Sequence, residues 1–150
     1  MSELTFRRAT YNDIPDIVGM LADDELGATR ESPDDLTPYE EAFAVIDADP
    51  HQYLAICERD DEVVGTMQLS FIAGLSRMAM SRLQIEGVRI HKNARSGGIG
   101  TRMFEWAIEQ ARERGCGLVQ LTTDASRADA HRFYERLGFE ATHIGFKRAV

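Results

Sequence analysis

Apolar and polar residues alternate along several short stretches of this chain and recur with a helical period along others. An alternation of period two, or a short apolar run, is typical of a strand. By this pattern, strands are predicted over residues 4–7, 53–57, 63–72, 80–90, 118–121, 139–141 and 144–148. Apolar spacing and capping residues predict helices over about 13–21, 38–48, 99–114 and 126–137, with 23–36 as a polar loop.

The order of these elements predicts the fold class. A strand–helix–strand–helix succession in the second half implies a right-handed crossover between parallel strands, whereas the first half favours antiparallel pairing. We therefore expect an α/β fold with one mixed sheet and helices on both faces. The chain shows no internal repeat, low-complexity tract or linker, so residues 1–150 are expected to form one domain.

The strand over 80–90 contains an irregularity. Leu83 and Ile85 share one parity, and Val88 and Ile90 share the other, so a regular strand would point the two pairs to opposite faces. One extra residue at Glu86–Gly87 would return both pairs to the core, which predicts a β-bulge there. The alternative is a strand that is buried on both faces and needs no bulge.

A glycine-rich junction follows this strand. Residues Arg95-Ser96-Gly97-Gly98-Ile99-Gly100 stand where the strand ends and a helix begins. The first turn of a helix has unpaired N–H groups and a partial positive charge, and glycines let an anion approach them. Arg95 and Arg102 would reinforce such a phosphate site. The alternative is a tight turn flanked by solvated arginines.

The spacing of this loop excludes two common phosphate motifs. There is no Gly-Lys for a nucleotide-triphosphate loop, and the Gly-x-Gly-x-x-Gly of a dinucleotide loop fails at Met103. The remaining pattern, Arg-x-x-Gly-x-Gly, resembles the acetyl-CoA pyrophosphate loop of the GNAT superfamily of N-acetyltransferases. The Tyr134 helix and Leu137-Gly138-Phe139 also fit that superfamily in order and spacing, and the resemblance is clear from about Glu62 to Phe146.

This resemblance implies a GNAT-like fold, in which the fourth and fifth strands splay apart and an acyl-thioester enters between them. It implies acetyl-CoA as the cofactor. The residues that it places at the cofactor are Val88, Arg89 and Ile90 beside the pantetheine arm, Arg95, Ser96, Gly97, Gly98, Ile99, Gly100 and Thr101 at the pyrophosphate, and Ser126 after the fifth strand. Many relatives have an asparagine near Ser126, so that contact is altered or absent here.

Acetyl transfer to an amine requires a base, because an alkyl amine is mostly protonated at neutral pH, and it benefits from an acid at the leaving thiolate. Glu86 at the expected bulge is the candidate base, with its pKa raised by burial, and His91 is the second choice. Tyr134 matches the superfamily's tyrosine before the Gly-Phe pair, so the resemblance implies that Tyr134 is the acid. The alternatives are an outward-pointing Glu86, a loop His91 and a core Tyr134.

Charge limits the partners. The net charge is −8, and residues 23–49 contain ten acids and one base, Arg30. A nucleic-acid partner is not expected, since phosphate binding needs a basic face. The acidic segment suggests a small cationic amine as acceptor, or it serves only solubility.

The remaining composition is that of an intracellular protein. We expect no metal site and no membrane span, two reduced cysteines (Cys57 and Cys116), and a cytoplasmic location.

Two other functions remain open at this point. One is a non-catalytic acyl-CoA-binding or sensing module, and the other is a protein-interaction domain that uses Met78 and Met80 as an adaptable surface. The acceptor and the acyl-chain length stay open. The oligomeric state is open as well, and a homodimer is one option because dimers are common among relatives.

Overall fold

The computed structural model describes residues 3–95 and 97–150. It contains a five-stranded mixed sheet in the order β1-β2-β3-β4-β5. The strands are β1 (Leu4–Arg8), β2 (Gln52–Arg59), β3 (Glu62–Ile72), β4 (Arg82–Ile90) and β5 (Leu118–Leu121). β1 to β4 pair antiparallel, and β5 pairs parallel with β4, as the order of elements predicts.

Six α-helices of the described residues connect and cover the strands. They are α1 (Ile14–Ala22), α2 (Glu25–Arg30), α3 (Thr37–Ala48), α4 (Ser76–Ala79), α5 (Ile99–Glu113) and α6 (Ala128–Arg136). In α4, the φ angles of Arg77, Met78 and Ala79 lie between +56° and +61°, so this single turn is left-handed. No helix in the described part of the chain combines the length and apolar character needed to cross a membrane.

The sheet has a core on each face because β2 is buried on both sides. Ala55 and Cys57 pack towards α5, in a cluster with Leu83, Ile85 and Met103. Ile56 points the other way, into a smaller cluster with residues of β1, α1 and α3. Helices therefore cover both faces, as expected. Burial also raises the pKa of the Cys57 thiol to about 11, so it remains an inert thiol in the core.

The expected bulge in β4 is confirmed. Ladder pairing runs from Thr66 opposite Arg89 to Gln68 opposite Glu86, so Gly87 and Val88 together face a single residue of β3. Gly87 has φ +61°, a left-handed conformation that glycine adopts without steric cost. The extra residue places Val88 and Ile90 against the same core as Leu83 and Ile85.

Two parts of the chain differ from the sequence-based prediction. Residues 23–36 are not all loop, because Asp24 accepts a hydrogen bond from the Gly27 N–H and so caps α2. The strands predicted over 139–141 and 144–148 are wrong, since residues 139–150 form neither helix nor strand. Apolar alternation alone cannot form a strand, because a strand requires a partner that supplies hydrogen bonds.

The interaction surface suggested at Met78 and Met80 is reduced to one methionine. Met78 is 99% exposed on the left-handed turn. Met80 is half-buried and packs over Gly117, where an added Cβ would lie 2.7 Å from Met80 Cγ. Gly117 is thus needed for close packing at the start of β5.

A buried carboxylate joins the first strand to the first helix. Asp13 is 6% exposed and accepts hydrogen bonds from Arg7 Nη1 (2.7 Å), Arg7 Nη2 (2.9 Å) and the Thr10 N–H (2.7 Å). Arg7 also donates through Nε to Glu58 on β2 (2.9 Å). These bonds, above all that from Arg7, hold the pKa of Asp13 below its ordinary value.

We predict that Asp13→Asn lowers the free energy of unfolding at pH 7 by about 2 kcal/mol, since it removes a charge-assisted pair from a buried site. The contribution of a carboxylate with a lowered pKa is complete above its unfolded pKa of about 3.9 and is lost as the pH falls through the folded pKa. Urea unfolding should therefore show the two proteins converging below about pH 4. The exposed Asp16→Asn is the control; an equal loss there would contradict the assignment.

A second prediction concerns the bulge. Gly87→Ala should cost about 1 kcal/mol of unfolding free energy, because alanine is strained at this positive φ. Gly19→Ala is the matched control, since Gly19 lies inside α1 with no atom near an added Cβ, and it should raise stability by about 0.5 kcal/mol. Thermal unfolding of both variants measures the contrast, and the same sign for both would refute it.

Candidate functional site

The candidate site lies where β4 and β5 separate. Their last ladder pair is Ile85 with Leu121, and β4 continues beyond it to Ile90 without a partner on that side. This parting matches the expected splay. β4 then leads into the glycine loop, while β5 leads into the loop before α6, so the predicted cofactor and catalytic residues lie at the carboxyl ends of these two strands.

The glycine loop leaves the start of α5 open. Gly98 occupies the N-cap position with φ +74° and provides no side-chain cap for the first N–H groups. A Cβ added to Gly97 or Gly98 would have no atom within 4 Å, so the backbone faces open space. At Gly100, by contrast, a Cβ would lie 3.3 Å from both Ile90 and Phe133.

The other predicted loop residues differ in exposure. Ile99 is buried and Thr101 is half-buried, so Ile99 serves the core while its backbone remains in the first turn. Ser96 lies outside the described residues.

Two arginines of this region are held by acids at the junction of α1 and α2. Arg95 Nη2 donates to Asp23 Oδ2 at 3.2 Å, and its Nε donates to the Ile90 carbonyl at 3.2 Å. Arg89 Nη1 donates to the Val88 carbonyl at 2.8 Å. The buried Arg89 Nε lies 3.3 Å from Asp24 Oδ2 but has no hydrogen-bond partner among the described residues. The α1–α2 junction therefore crosses the end of β4.

Tyr134 is half-buried in an aromatic cluster. Its ring packs edge-on against Phe104 and Phe133, each with a centroid distance of 5.5 Å, and against Phe139 at 6.1 Å. Burial raises the pKa of the phenol, and the charges of Arg127 and Arg89 oppose that rise. The phenol is therefore protonated at neutral pH, and its hydroxyl makes no hydrogen bond to any described residue.

The expected burial of Glu86 is wrong: its side chain is exposed. The bulge begins just after Glu86, so this residue stays in register with Gln68 and points away from the core of Leu83 and Ile85. His91 is half-buried, and its Nδ1 accepts a hydrogen bond from the Asn93 N–H at 3.3 Å. One of the two imidazole nitrogens therefore caps a local turn.

Ser126 forms a local turn with Asp124. The Asp124 carboxylate accepts hydrogen bonds from the Ser126 hydroxyl at 2.6 Å and from its N–H at 3.0 Å. These bonds lower the pKa of Asp124, and the charges of Arg30 and Arg127 contribute in the same direction. The charge of Arg30, at the end of α2, thus acts on the loop that follows β5.

Sequence reasoning missed a row of polar side chains across the sheet. Gln68 Nε2 and Ser70 Oγ donate to Gln52 Oε1 at 2.9 and 3.0 Å, and Gln120 Nε2 donates to Gln84 Oε1 at 2.7 Å. We call these five residues the amide row. Gln84 and Glu86 share a face of β4, so the row leads to Glu86. The signal was the strict alternation of polar residues with Met67, Leu69, Leu83 and Ile85.

Arg82 continues the amide row on β4. Its Nη1 donates to Gln120 Oε1 at 3.4 Å, and its guanidinium forms no ion pair with a carboxylate of the described residues. It is half-buried. A guanidinium in this position can bind an anionic group.

Part of the acidic segment is already paired. Asp23 and Asp24 contact the arginines described above, while Glu31 and Glu40 accept hydrogen bonds from Tyr39 and Tyr11. Six acids of the segment have no side-chain partner among the described residues: Glu25, Asp34, Asp35, Glu41, Asp47 and Asp49. Asp35 and Asp49 instead accept hydrogen bonds from the backbone N–H groups of Thr37 and His51. A surface cavity of about 210 Å³ lies beside Tyr11, Leu36 and Glu40, and no candidate catalytic residue lines it.

Known proteins share this arrangement. The model of the acetyltransferase (GNAT) family matches residues 16–139. An aminoalkylphosphonate N-acetyltransferase of Salmonella typhimurium is 32% identical over 116 residues, which cover 77% of this chain and 75% of that protein. A crystal structure described as a transcriptional regulator from Bacillus halodurans C-125 is 45% identical, with a TM-score of 0.93. The match covers 99% of this chain and 100% of the chain in that structure.

A more distant structure shares the fold alone. A predicted acetyltransferase from Clostridium acetobutylicum, solved with acetyl-CoA, has a TM-score of 0.75 at 18% identity and covers 98% of this chain and 96% of its own. The GNAT fold uses acetyl-CoA. Because the family model and a curated N-acetyltransferase both match most of its length, the chain belongs to the GNAT acetyltransferase family and is an acyltransferase.

Proposed function

We propose that this protein transfers the acetyl group of acetyl-CoA to the primary amine of a small molecule, by direct attack in a ternary complex. The proposal rests above all on the uncapped start of α5 beside the parting of β4 and β5. There a bare backbone, two arginines and a free phenol surround the ends of two strands.

The residues at this place fit the cofactor. The open backbone at Gly97 and Gly98 and the uncapped first turn of α5 suit a pyrophosphate, with Arg95 beside them and Ser96 to Thr101 completing the loop. The bulge leaves Gly87 and Val88 without ladder partners, so Val88, Arg89 and Ile90 can pair with the amides of the pantetheine arm. The buried Arg89 Nε has no acceptor among the residues that the structure describes, so it is available to the cofactor. Ser126 would lie at the edge of this site.

The bound cofactor supplies an activated acetyl thioester. Glu86 accepts the proton of the attacking amine, directly or through a water, because its exposed carboxylate stands at the parting of the strands. Tyr134 donates a proton to the departing thiolate, and its raised pKa keeps it protonated for that purpose. A backbone N–H near Val88 stabilises the charge that develops on the acetyl oxygen.

Two experiments test the cofactor and the acid. Calorimetric titration should show saturable binding of acetyl-CoA and none of ATP. Tyr134→Phe should bind acetyl-CoA as the wild type does, yet lower kcat for thiol release by about 10²-fold or more. Binding with an unchanged kcat in the variant would contradict the role of Tyr134, and no binding by the folded protein would contradict the proposal as a whole. Glu86→Gln should bind acetyl-CoA as the wild type does and lower kcat most near neutral pH, where the amine is protonated and needs a base, and least at high pH, where the amine is already deprotonated.

For the acceptor, we propose a small amine that is cationic at its reacting end. The acidic segment borders the site through Asp23 and Asp24, and its unpaired carboxylates raise the local concentration of a cation. The amide row supplies donors and acceptors for the polar remainder of the molecule.

A second acceptor class is favoured by one observation. At one end of the amide row, Arg82 presents a guanidinium that has no carboxylate partner among the described residues, and Glu86 lies at the other end. An amine that also carries an anion would contact both. The Salmonella relative is named for aminoalkylphosphonates, which have this chemistry.

Charge reversal separates the two classes. Asp34→Lys combined with Asp35→Lys should raise KM for diaminopropane about tenfold by removing electrostatic attraction, with KM for acetyl-CoA unchanged. The control with the same charge change, Glu105→Lys with Glu113→Lys on α5, should leave both values as they are. If the KM for diaminopropane is the same in the two double variants, the cationic acceptor is refuted. If the wild type prefers aminopropylphosphonate to diaminopropane and Arg82→Gln abolishes that preference, the acceptor is instead an amine that also carries an anion.

A further inference from the structure

Two opposite charges stand on the same face of β4 at a fixed separation. Arg82 lies opposite Ile72 of β3, Glu86 lies opposite Gln68, and the ladder between these two pairs is regular. Residues an even number of positions apart in a regular strand share a face, and at about 3.3 Å per residue these two α-carbons lie about 13 Å apart. Neither side chain forms an ion pair with a described residue, so both charges are available to a ligand.

The guanidinium of Arg82 extends across the neighbouring strand. Its Nη1 donates to Gln120 Oε1 at 3.4 Å, and Gln120 lies opposite Gln84 in the parallel ladder of β4 and β5. This contact draws the guanidinium from its own position on β4 toward the level of Gln84, two residues from Glu86. A ligand that reaches both charges therefore spans between about 7 Å, the length of two strand residues, and the full 13 Å or so.

Between the two charges the amide row offers one unused donor and one unused acceptor. Gln84 accepts from Gln120 through Oε1, and Gln68 donates to Gln52 through Nε2. The remaining amide atoms, Gln84 Nε2 and Gln68 Oε1, form no hydrogen bond with a described residue, and both have access to solvent. A peptide group has one carbonyl acceptor and one N–H donor, so these two atoms complement it.

The position of Glu86 also bears on the kind of amine. At pH 7.5 only about 0.1% of an alkyl amine is neutral, whereas about one third of an α-amino group, with its pKa of about 7.7–8.0, is neutral. An α-amino group therefore requires less help from the base that deprotonates it. Such an amine suits a carboxylate that stands in solvent, as that of Glu86 does.

We propose that the acceptor is a short free peptide of two or three residues, and that Arg82 and Gln84 determine this specificity. The proposal rests on the proposed function, whose acceptor it narrows. The α-amine lies at Glu86, and the terminal carboxylate pairs with the guanidinium of Arg82. Between them, Gln84 Nε2 donates to a peptide carbonyl and Gln68 Oε1 accepts from a peptide N–H.

The length of the peptide follows from the separation of the charges. An extended chain spans about 3.3–3.6 Å per residue, so a dipeptide spans about 7 Å and a tripeptide about 10 Å. Both lengths fall within the span between Glu86 and the guanidinium of Arg82. A single amino acid is too short to contact both ends.

The reaction converts the peptide and acetyl-CoA to an N-acetylpeptide and CoA. The α-amine nitrogen attacks the thioester carbonyl carbon, so that a C–N bond forms and the C–S bond breaks. The proton of the amine passes to Glu86, and the thiolate takes a proton from Tyr134. The carboxylate stays on Arg82 throughout, so loss of this contact raises KM more than it lowers kcat.

A series of acceptors tests the length. Thiol release at saturating acetyl-CoA gives kcat/KM for glycine, diglycine, triglycine, aminopropylphosphonate and diaminopropane. The better of the two peptides should exceed each of the other three amines by about tenfold or more, because it adds the contact with the amide row and reaches both charges.

Amidation of the peptide's carboxyl end tests Arg82. In the wild type the amidated peptide should have a KM about tenfold higher, because it loses a charge-assisted contact, although it is the more cationic of the two. In Arg82→Gln the free and amidated peptides should have equal KM values. Arg112→Gln, exposed on α5, is the matched control and should keep the difference.

A separate variant tests the peptide contact of Gln84. Gln84→Glu keeps an acceptor for Gln120 Nε2 but replaces the donor Nε2 by an oxygen. It should raise KM for the better peptide and leave KM for diaminopropane no higher than in the wild type. A rise for both acceptors would show a structural effect and contradict the role of Gln84. Circular dichroism verifies that each variant is folded.

The other outcomes separate this proposal from the one on which it rests. A lower KM for the amidated peptide, or equal loss in Arg82→Gln and Arg112→Gln, would overturn the carboxylate contact. If aminopropylphosphonate or diaminopropane has a higher kcat/KM than both peptides, the peptide acceptor is overturned while the proposed acetyl transfer stands. Failure to acetylate any of the five amines would overturn both.

Discussion

The one-residue slip in β4 is the constraint on which the rest of the site depends. Without it, Val88 and Ile90 would leave the core to which Leu83 and Ile85 belong. With it, the strand keeps its apolar contacts on both sides of the slip. At the same point the backbone of Gly87 and Val88 is released from β3, just after β5 has ended its pairing. A packing requirement and free backbone groups thus arise from the same extra residue, and only glycine adopts its φ without strain.

The electrostatics of the site follow from the segment that crosses it. Asp23 and Asp24 place the α1–α2 junction on Arg95 and Arg89, and the charge of Arg30 acts on Asp124 beyond β5. The first half of the chain is therefore tied to the second by opposite charges at the ends of β4 and β5. The ion pair of Arg95 with Asp23 is largely exposed, so it contributes little to stability, and Arg95 can exchange Asp23 for another anion at low cost.

Coverage of the sheet explains where substrates and partners can approach. α1 and α3 cover β2 and the neighbouring part of β3, whereas the amide row is only half-buried. Its side chains satisfy one another through hydrogen bonds, which makes a polar sheet face tolerable without a helix above it. β5 is likewise only half-buried, and three of its four residues (Leu118, Val119 and Leu121) are apolar.

The sequence by itself determined the elements whose signal is local. Periodicity predicted β1 to β5, α1, α3, α5 and α6, the parity change at Glu86–Gly87 predicted the bulge, and the motifs predicted the family. Only the tertiary structure decided the features that need a partner distant in sequence. The exposure of Glu86, the acids that contact Arg89 and Arg95, and the amide row depend on which strands lie side by side. Residues 139–150 show this most clearly: their apolar alternation is that of a strand, but they form a strand only when another strand supplies their hydrogen bonds.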